Sequence, residues 1–306
     1  MKFINLLIFL VFVSNQVWAQ DSNQIKTLDH PPIIISSINP IYQIAKFISG
    51  DEKNNSLLIK PDVLPNHYAL RGNEINNLSN SDVFFYVSDN FESGFGGALK
   101  EIKTPPKIVQ IGLSKNIELI TFQARFNKTV TNFNIWLSPK NALGIALKIA
   151  DILAALYPEN AKIYYTNLGK FLNDVEKMDQ KNLVSLKKIK PNTILGDIDN
   201  ISYFEKYYKL PLAGFVRADS DNEISLQQVK SINDLIKQKG VVCVLGNYQD
   251  RSGLPNQIAN NNRIKYTMIN VFGDEKNKTK NGYVELMNNL VDVLVKCAGQ
   301  KESDSN

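Results

Sequence analysis

The chain has 306 residues, of which 43% are hydrophobic and 21% charged, a composition typical of a folded globular protein and not of a disordered one. The formal net charge of +5 is spread along the chain and is too small for a nucleic-acid-binding surface. Two cysteines exclude a disulfide-stapled miniprotein, and only two histidines, His30 and His67, argue against histidine-dependent catalysis. The length suggests about two domains of about 150 residues each.

The N-terminus has the pattern of a secretory signal peptide. Lys2 precedes an apolar run at Leu6–Val13, and Ala19 ends a short cleavage sequence. The apolar run is shorter than the roughly 20 residues that a membrane-spanning helix needs, which makes an uncleaved anchor the less favoured alternative. We therefore expect residues 1–19 to be removed, residues 20–31 to form a flexible lead, and the mature protein to be exported.

Strands and helices alternate over the next part of the chain. Short continuous apolar runs are typical of buried parallel strands, and apolar residues spaced by three and four are typical of amphipathic helices. The predicted elements are, in order, a strand at 31–38, a helix at 39–50, a strand at 56–60, a helix at 74–82 and strands at 83–88 and 107–112. The alternation predicts a parallel sheet covered on both faces, in an N-terminal lobe at 32–157.

Sustained helical patterns follow this lobe. Residues 141–157 predict one helix, and a second, opened by Pro158, continues to about Ile189, which is unusually long for a globular protein. We expect this second helix, at 158–190, to connect two lobes.

The alternation of strands and helices resumes after the connecting helix. It predicts, in order, a strand at 192–197, a helix at 201–210, a strand at 212–216, a helix at 226–240, strands at 241–247 and 266–272, and a helix at 281–297. These form a C-terminal lobe at 191–298, and the polar tail at 299–306 is disordered by composition. The fold class is therefore α/β, with two lobes of mostly parallel sheets covered by helices and joined by one long backbone helix.

Common catalytic and nucleotide-binding signatures are absent from the sequence. There is no GxxxxGK[ST], GxGxxG, HExxH, GxSxG or CxxC motif, and we expect no enzymatic activity. In an oxidising compartment an even pair of cysteines favours a disulfide between Cys243 and Cys297, the alternative being two buried thiols.

Four segments, taken together, carry a resemblance to a known family. They are PNHYALRGNEINNLSNSDVFFYV (65–87), NIWLSPKNALGIALKIADILAALYPENA (134–161), ISYFEKYYKLPLAGF (201–215) and VVCVLGNYQ (241–249). In this order they resemble the zinc/manganese-type periplasmic solute-binding proteins of ABC transporters, in particular the zinc-uptake, ZnuA-like members of cluster A-I. The resemblance implies a metal cleft between two lobes, a disulfide between the two cysteines, and delivery to a cognate ABC permease in the inner membrane. We expect a monomer that binds no nucleic acid.

The family's metal-ligand positions are substituted in this chain. The first ligand is the histidine of P-H-x-Y, the second lies two places before the tryptophan of WLSP, the third lies five places before the tyrosine of YFE, and the fourth is acidic. The resemblance assigns these roles to Asn66, Asn134, Ile198 and, for the acidic ligand, either Asn247 or Asn270. Zinc prefers imidazole, thiolate or carboxylate ligands. The inherited site is therefore predicted to be degenerate, with no bound cofactor beyond weak Zn or Mn.

Three interpretations of the function remain open. In the first, the protein still serves a metal importer through a rebuilt site of His67, Asp199 and Asp197. In the second, the asparagine-lined cleft binds a small neutral polar ligand, with Tyr68 and Trp136 adding hydrogen bonds and stacking surface. In the third, the chain is a non-transporting interaction or regulatory protein that retains the fold.

Overall fold

The computed structural model describes most of the chain. The predicted signal peptide, the lead up to residue 29 and the predicted tail lie outside the described residues. Those residues are 30–123, 129–217, 224–275 and 279–298. Among them, no helix combines the length and the apolar composition that crossing a membrane requires.

The first part of the chain forms a four-stranded parallel sheet. Its strands are β1 (Ile34–Ser36), β2 (Asn55–Leu57), β3 (Val83–Tyr86) and β4 (Lys107–Gln110), in the spatial order β2-β1-β3-β4. The central strands β1 and β3 are buried along their whole length, as their continuous apolar sequences predict. The connecting helices are α1 (Asn39–Ser49), α2 (Gly72–Ser79) and α3 (Gly96–Lys100).

A hairpin and two long helices follow the first sheet. The hairpin pairs β5 (Ile120–Gln123) with β6 (Thr129–Asn132) in antiparallel register. Helix α4 (Pro139–Leu156) is capped by Ser138, whose Oγ accepts a hydrogen bond from the backbone N–H of Asn141 at 3.4 Å. A serine cap followed by proline is a strong helix start. After one 3₁₀ turn, helix α5 (Ala161–Leu186) extends over 26 residues.

The remainder of the chain forms a second four-stranded parallel sheet. Its strands are β7 (Ile194–Gly196), β8 (Gly214–Phe215), β9 (Cys243–Asn247) and β10 (Lys265–Ile269), in the order β10-β9-β7-β8. Its helices are α6 (Ser202–Tyr208), α7 (Leu226–Lys239), α8 (Leu254–Asn261) and α9 (Gly282–Ala298). Helix α7 begins with a reciprocal cap between Ser225 and Gln228 and ends at Gly240, whose φ of 65° suits glycine.

The long helix α5 packs against both halves of the molecule. It contacts α1 and α4 beside the first sheet and α9 beside the second. The predicted α/β fold with parallel sheets covered by helices and one long helix is therefore confirmed. The predicted disulfide is also present: it joins Cys243 on β9 to Cys297 on α9, with a Cα–Cα distance of 5.5 Å.

Candidate solute-binding site

A cavity of about 220 Å³ lies where loops from both halves of the chain meet. In each parallel sheet these loops follow the carboxyl ends of strands, the edge where α/β folds bind ligands. The loops after β2 and β3 face the loops after β7, β9 and β10, and the turn after β6 closes one side. The lining residues are Leu64, Pro65, Asn66, Asn90, Phe91, Asn134, Ile198, Asp199, Asn200, Asn247, Val271 and Phe272.

Hydrogen bonds hold the two halves together around this cavity. The Nε2 of Gln249 donates to the backbone oxygen of Pro61 at 2.6 Å, and the Nδ2 of Asn39 donates to that of Phe272 at 2.8 Å. A larger groove of about 660 Å³ runs along α4 and α5, but its sides are leucine-rich and it lies away from the strand ends. The cavity is therefore the better candidate for a binding site.

Four of the five inherited ligand positions line the cavity. They are Asn66, Asn134, Ile198 and Asn247. The fifth, Asn270, does not: its Oδ1 accepts from the backbone N–H of Phe272 at 3.1 Å, and its Nδ2 donates to the oxygen of Gly273 at 2.8 Å. Of the two positions proposed for an acidic ligand, the structure places only Asn247 at the cavity.

The predicted rebuilt metal site is not assembled. Asp197 is 1% exposed, and its two oxygens accept hydrogen bonds from Arg217 at 2.8 and 2.7 Å, so this carboxylate is already paired. His67 is exposed and does not line the cavity, which leaves Asp199 as the one member of the predicted trio that does. Across the described residues no three His, Cys, Asp or Glu side chains come close enough to hold a metal ion.

The two aromatic residues predicted to line the cleft lie elsewhere. Trp136 is completely buried, and its Nε1 donates to the backbone oxygen of Val271 at 2.8 Å. Its ring packs against Phe91 and Phe272, with centroid distances of 5.8 and 5.4 Å, and these two rings line the cavity. Trp136 therefore supports the aromatic wall from behind, and the half-buried Tyr68 is not part of the lining.

Asparagine side chains supply most of the polar surface. Five of the twelve lining residues are asparagines. Asn134 is held by Asn132. The Oδ1 of Asn132 accepts a hydrogen bond from the backbone N–H of Asn134 at 2.9 Å and another from the Nδ2 of Asn134 at 3.1 Å. Among the described residues, the carboxamide oxygen of Asn134 accepts no hydrogen bond. Asn247 is 4% exposed, and its side-chain oxygen accepts a long hydrogen bond, at 3.5 Å, from the backbone N–H of Gln249.

A buried carboxyl group beside the cavity was not foreseen. Glu92 is completely buried and accepts hydrogen bonds from the Ser37 hydroxyl at 2.5 Å and from the N–H groups of Val87 and Ser88 at 3.0 Å. Burial raises the pKa of Glu92 to about 7, against the opposing effect of these hydrogen bonds. In the sequence, Glu92 is an acidic residue shortly after a buried strand, and the exposed Asp89 fits the same description. Sequence alone therefore did not single it out.

Comparison with known proteins agrees with the fold. Residues 34–297 match the family model of ZnuA, the periplasmic component A of the zinc-uptake complex. The chain belongs to this family. The ZnuA high-affinity zinc uptake protein of Yersinia pestis is 22% identical over 287 residues, covering 86% of this chain and 90% of that protein. The manganese ABC transporter substrate-binding lipoprotein PsaA of Streptococcus mitis is 21% identical over 245 residues, covering 78% and 77%.

Solved structures related to the ZnuA family share the fold. A crystal structure of ZnuA superposes with a TM-score of 0.76 at 21% identity, covering 87% of this chain and 98% of that one. The periplasmic zinc-binding protein TroA of Treponema pallidum gives 0.76 at 14% identity, covering 89% and 100%. The predicted resemblance is thus confirmed, and the chain is a substrate-binding protein of the zinc/manganese ABC transporter type.

Proposed function

We propose that this protein is the periplasmic substrate-binding component of an ABC transporter whose cavity has lost the family's zinc cage. Membership of the ZnuA family and the two-sheet fold support the transport role and a membrane permease as partner. The composition of the cavity lining carries the proposal that the zinc cage is lost. The inherited positions share one cavity and bear no imidazole or carboxylate; they are Asn66, Asn134, Ile198 and Asn247.

The chemistry of these side chains does not suit zinc. Zinc sites in proteins use histidine, cysteine or carboxylate ligands in a tetrahedral shell. Carboxamide oxygens suit harder cations, and then as one ligand among several carboxylates. With Asp199 as the one carboxylate in the lining, the cavity offers too little negative charge to offset the cost of removing a dication from water.

Zinc titration of the tag-free chain from Gln20 onward tests this proposal. Binding is expected to be weaker than about 1 µM, which corresponds to about −8 kcal/mol. Free zinc at about 1 µM should therefore raise the melting temperature little, since a ligand at or below its Kd stabilises the folded state by no more than about 0.4 kcal/mol. Submicromolar binding measured by calorimetry would overturn the proposal. If His67→Ala then abolished that binding, the rebuilt metal site would be the correct interpretation.

A further inference from the structure

The cavity lining contains a single charged side chain. Of its twelve residues, Asp199 is the one with an ionisable side chain, and no lysine, arginine or histidine is among them. The lining therefore carries a net charge of about −1. An anionic solute would be repelled without compensation, because no cation faces it.

Half of the Asp199 carboxylate is available to a solute. One oxygen accepts a hydrogen bond from the Ser202 hydroxyl at the start of α6. The other oxygen makes no hydrogen bond to any of the described residues. That oxygen is not fully buried, so a positively charged group that enters the cavity can pair with it.

Part of the cavity lining is apolar, and two of its side chains are aromatic. Phe91 and Phe272, both packed on Trp136, belong to this part, together with Ile198 and Val271. Aromatic rings attract organic cations through their π electrons. A cavity of about 150 Å³ holds benzene, so about 220 Å³ accommodates a solute somewhat larger than benzene.

We propose that the solute is a small organic cation with a single positive charge of the ammonium type. Its charge lies against Asp199, its apolar groups contact Phe91 and Phe272, and the asparagine amides bind a neutral polar group such as a hydroxyl. This inference rests on the proposed function and adds the chemical class of the solute to it. A dication lacks a second carboxylate here, and a neutral solute leaves the carboxylate of Asp199 without a counter-charge.

A pair of probes that differ in charge alone tests the inference. Choline and 3,3-dimethylbutan-1-ol have the same shape, but a neutral carbon replaces the charged nitrogen in the second. Calorimetry on the unaltered chain should show choline binding at least about tenfold more tightly than the alcohol, a factor of ten being 1.4 kcal/mol. Asp199→Asn keeps an acceptor for Ser202 and should remove this preference, whereas Asp292→Asn, an exposed change on α9, should not.

The outcomes separate this inference from the proposed function. Equal affinity for choline and for the alcohol would overturn the inference that the solute is a cation and would favour a neutral polar solute. Failure of choline, tetramethylammonium and guanidinium to bind at millimolar concentration would also overturn it. Either result leaves the proposed function intact if the same sample shows no submicromolar zinc binding. Submicromolar zinc binding would overturn the proposed function itself.

Discussion

At the scale of single residues, Glu92 combines complete burial with three hydrogen-bond donors to its two oxygens. Its donors come from the loops that follow β1 and β3, next to the lining residues Asn90 and Phe91. The group therefore ties these two loops together. Its raised pKa makes the strength of that link depend on pH.

The stability of the protein should fall as pH rises from about 4.5 to about 7. In the unfolded chain Glu92 loses its proton near its ordinary pKa of 4.5, whereas the folded protein keeps it up to about 7. The folded state thus binds more protons in this window, and the free energy of unfolding decreases with pH by an amount on the order of 3 kcal/mol. Above about pH 7 this contribution is constant.

Urea unfolding at a series of pH values checks this prediction. The difference in unfolding free energy between the unaltered chain and Glu92→Gln should shift across the window, because glutamine does not titrate. Glu101→Gln, at an exposed position, is the matched control and should give a profile parallel to that of the unaltered chain. A parallel profile for Glu92→Gln as well would contradict the assignment.

The family resemblance, carried over position by position within short motifs, assigned ligand roles to Asn66, Asn134 and Ile198, and the structure gathers these positions around one cavity. The pairing of Asp197 was not foreseen, because the arginine that neutralises this carboxylate lies 20 residues away, just after the neighbouring strand β8. Long-range pairing of this kind leaves no local signature in a sequence.

At the scale of elements, the β5–β6 hairpin connects the two halves of the molecule beside the cavity. The hydroxyl of Tyr203 on α6 accepts from the backbone N–H of Ile120 at 2.9 Å and donates to the backbone oxygen of Asn132 at 2.7 Å. Lys206 of the same helix forms an ion pair with Glu118 at 2.7 Å, just before the hairpin. The hairpin is therefore held by a helix from the distant half of the chain.

Removing the Tyr203 hydroxyl should loosen this connection. Tyr203→Phe leaves the Ile120 N–H and the Asn132 carbonyl without their partner, and part-buried unsatisfied groups cost about 1–3 kcal/mol. Tyr165→Phe removes a single surface hydrogen bond to Asp151 and should cost less than about 1 kcal/mol. Denaturant unfolding of both variants measures the two losses, and equal losses would show that Tyr203 does not hold the hairpin.

The elements that could be predicted from the sequence are those whose own residues carry a recognisable pattern. The strands of both sheets were predicted from their short continuous apolar runs, and the long helix α5 from a sustained helical pattern opened by Pro158. The hairpin was not predicted, since its strands are short and carry no continuous apolar run. It owes its position to Tyr203, about 70 residues further along the chain.

At the scale of the whole molecule, two parallel sheets turn their carboxyl edges toward one cavity, and the long helix α5 packs across both halves. This arrangement follows from the strand–helix alternation and was predictable as a fold. The solute was not predictable from the fold, because the same architecture presents whatever side chains its loops carry. Here those loops carry amides, one carboxylate and an aromatic wall.

Restoring the family's histidines tests the central claim most directly. The combined change Asn66→His, Asn134→His and Ile198→His puts three imidazoles beside Asp199 in the cavity, a donor set that suits zinc. Calorimetry should show zinc binding at least about a hundredfold tighter than that of the unaltered chain, a gain of about 2.7 kcal/mol. Asn270→His, away from the cavity lining, should give no such gain. An unaltered chain that binds zinc as tightly as the triple variant, or a triple variant that gains nothing, would contradict the account.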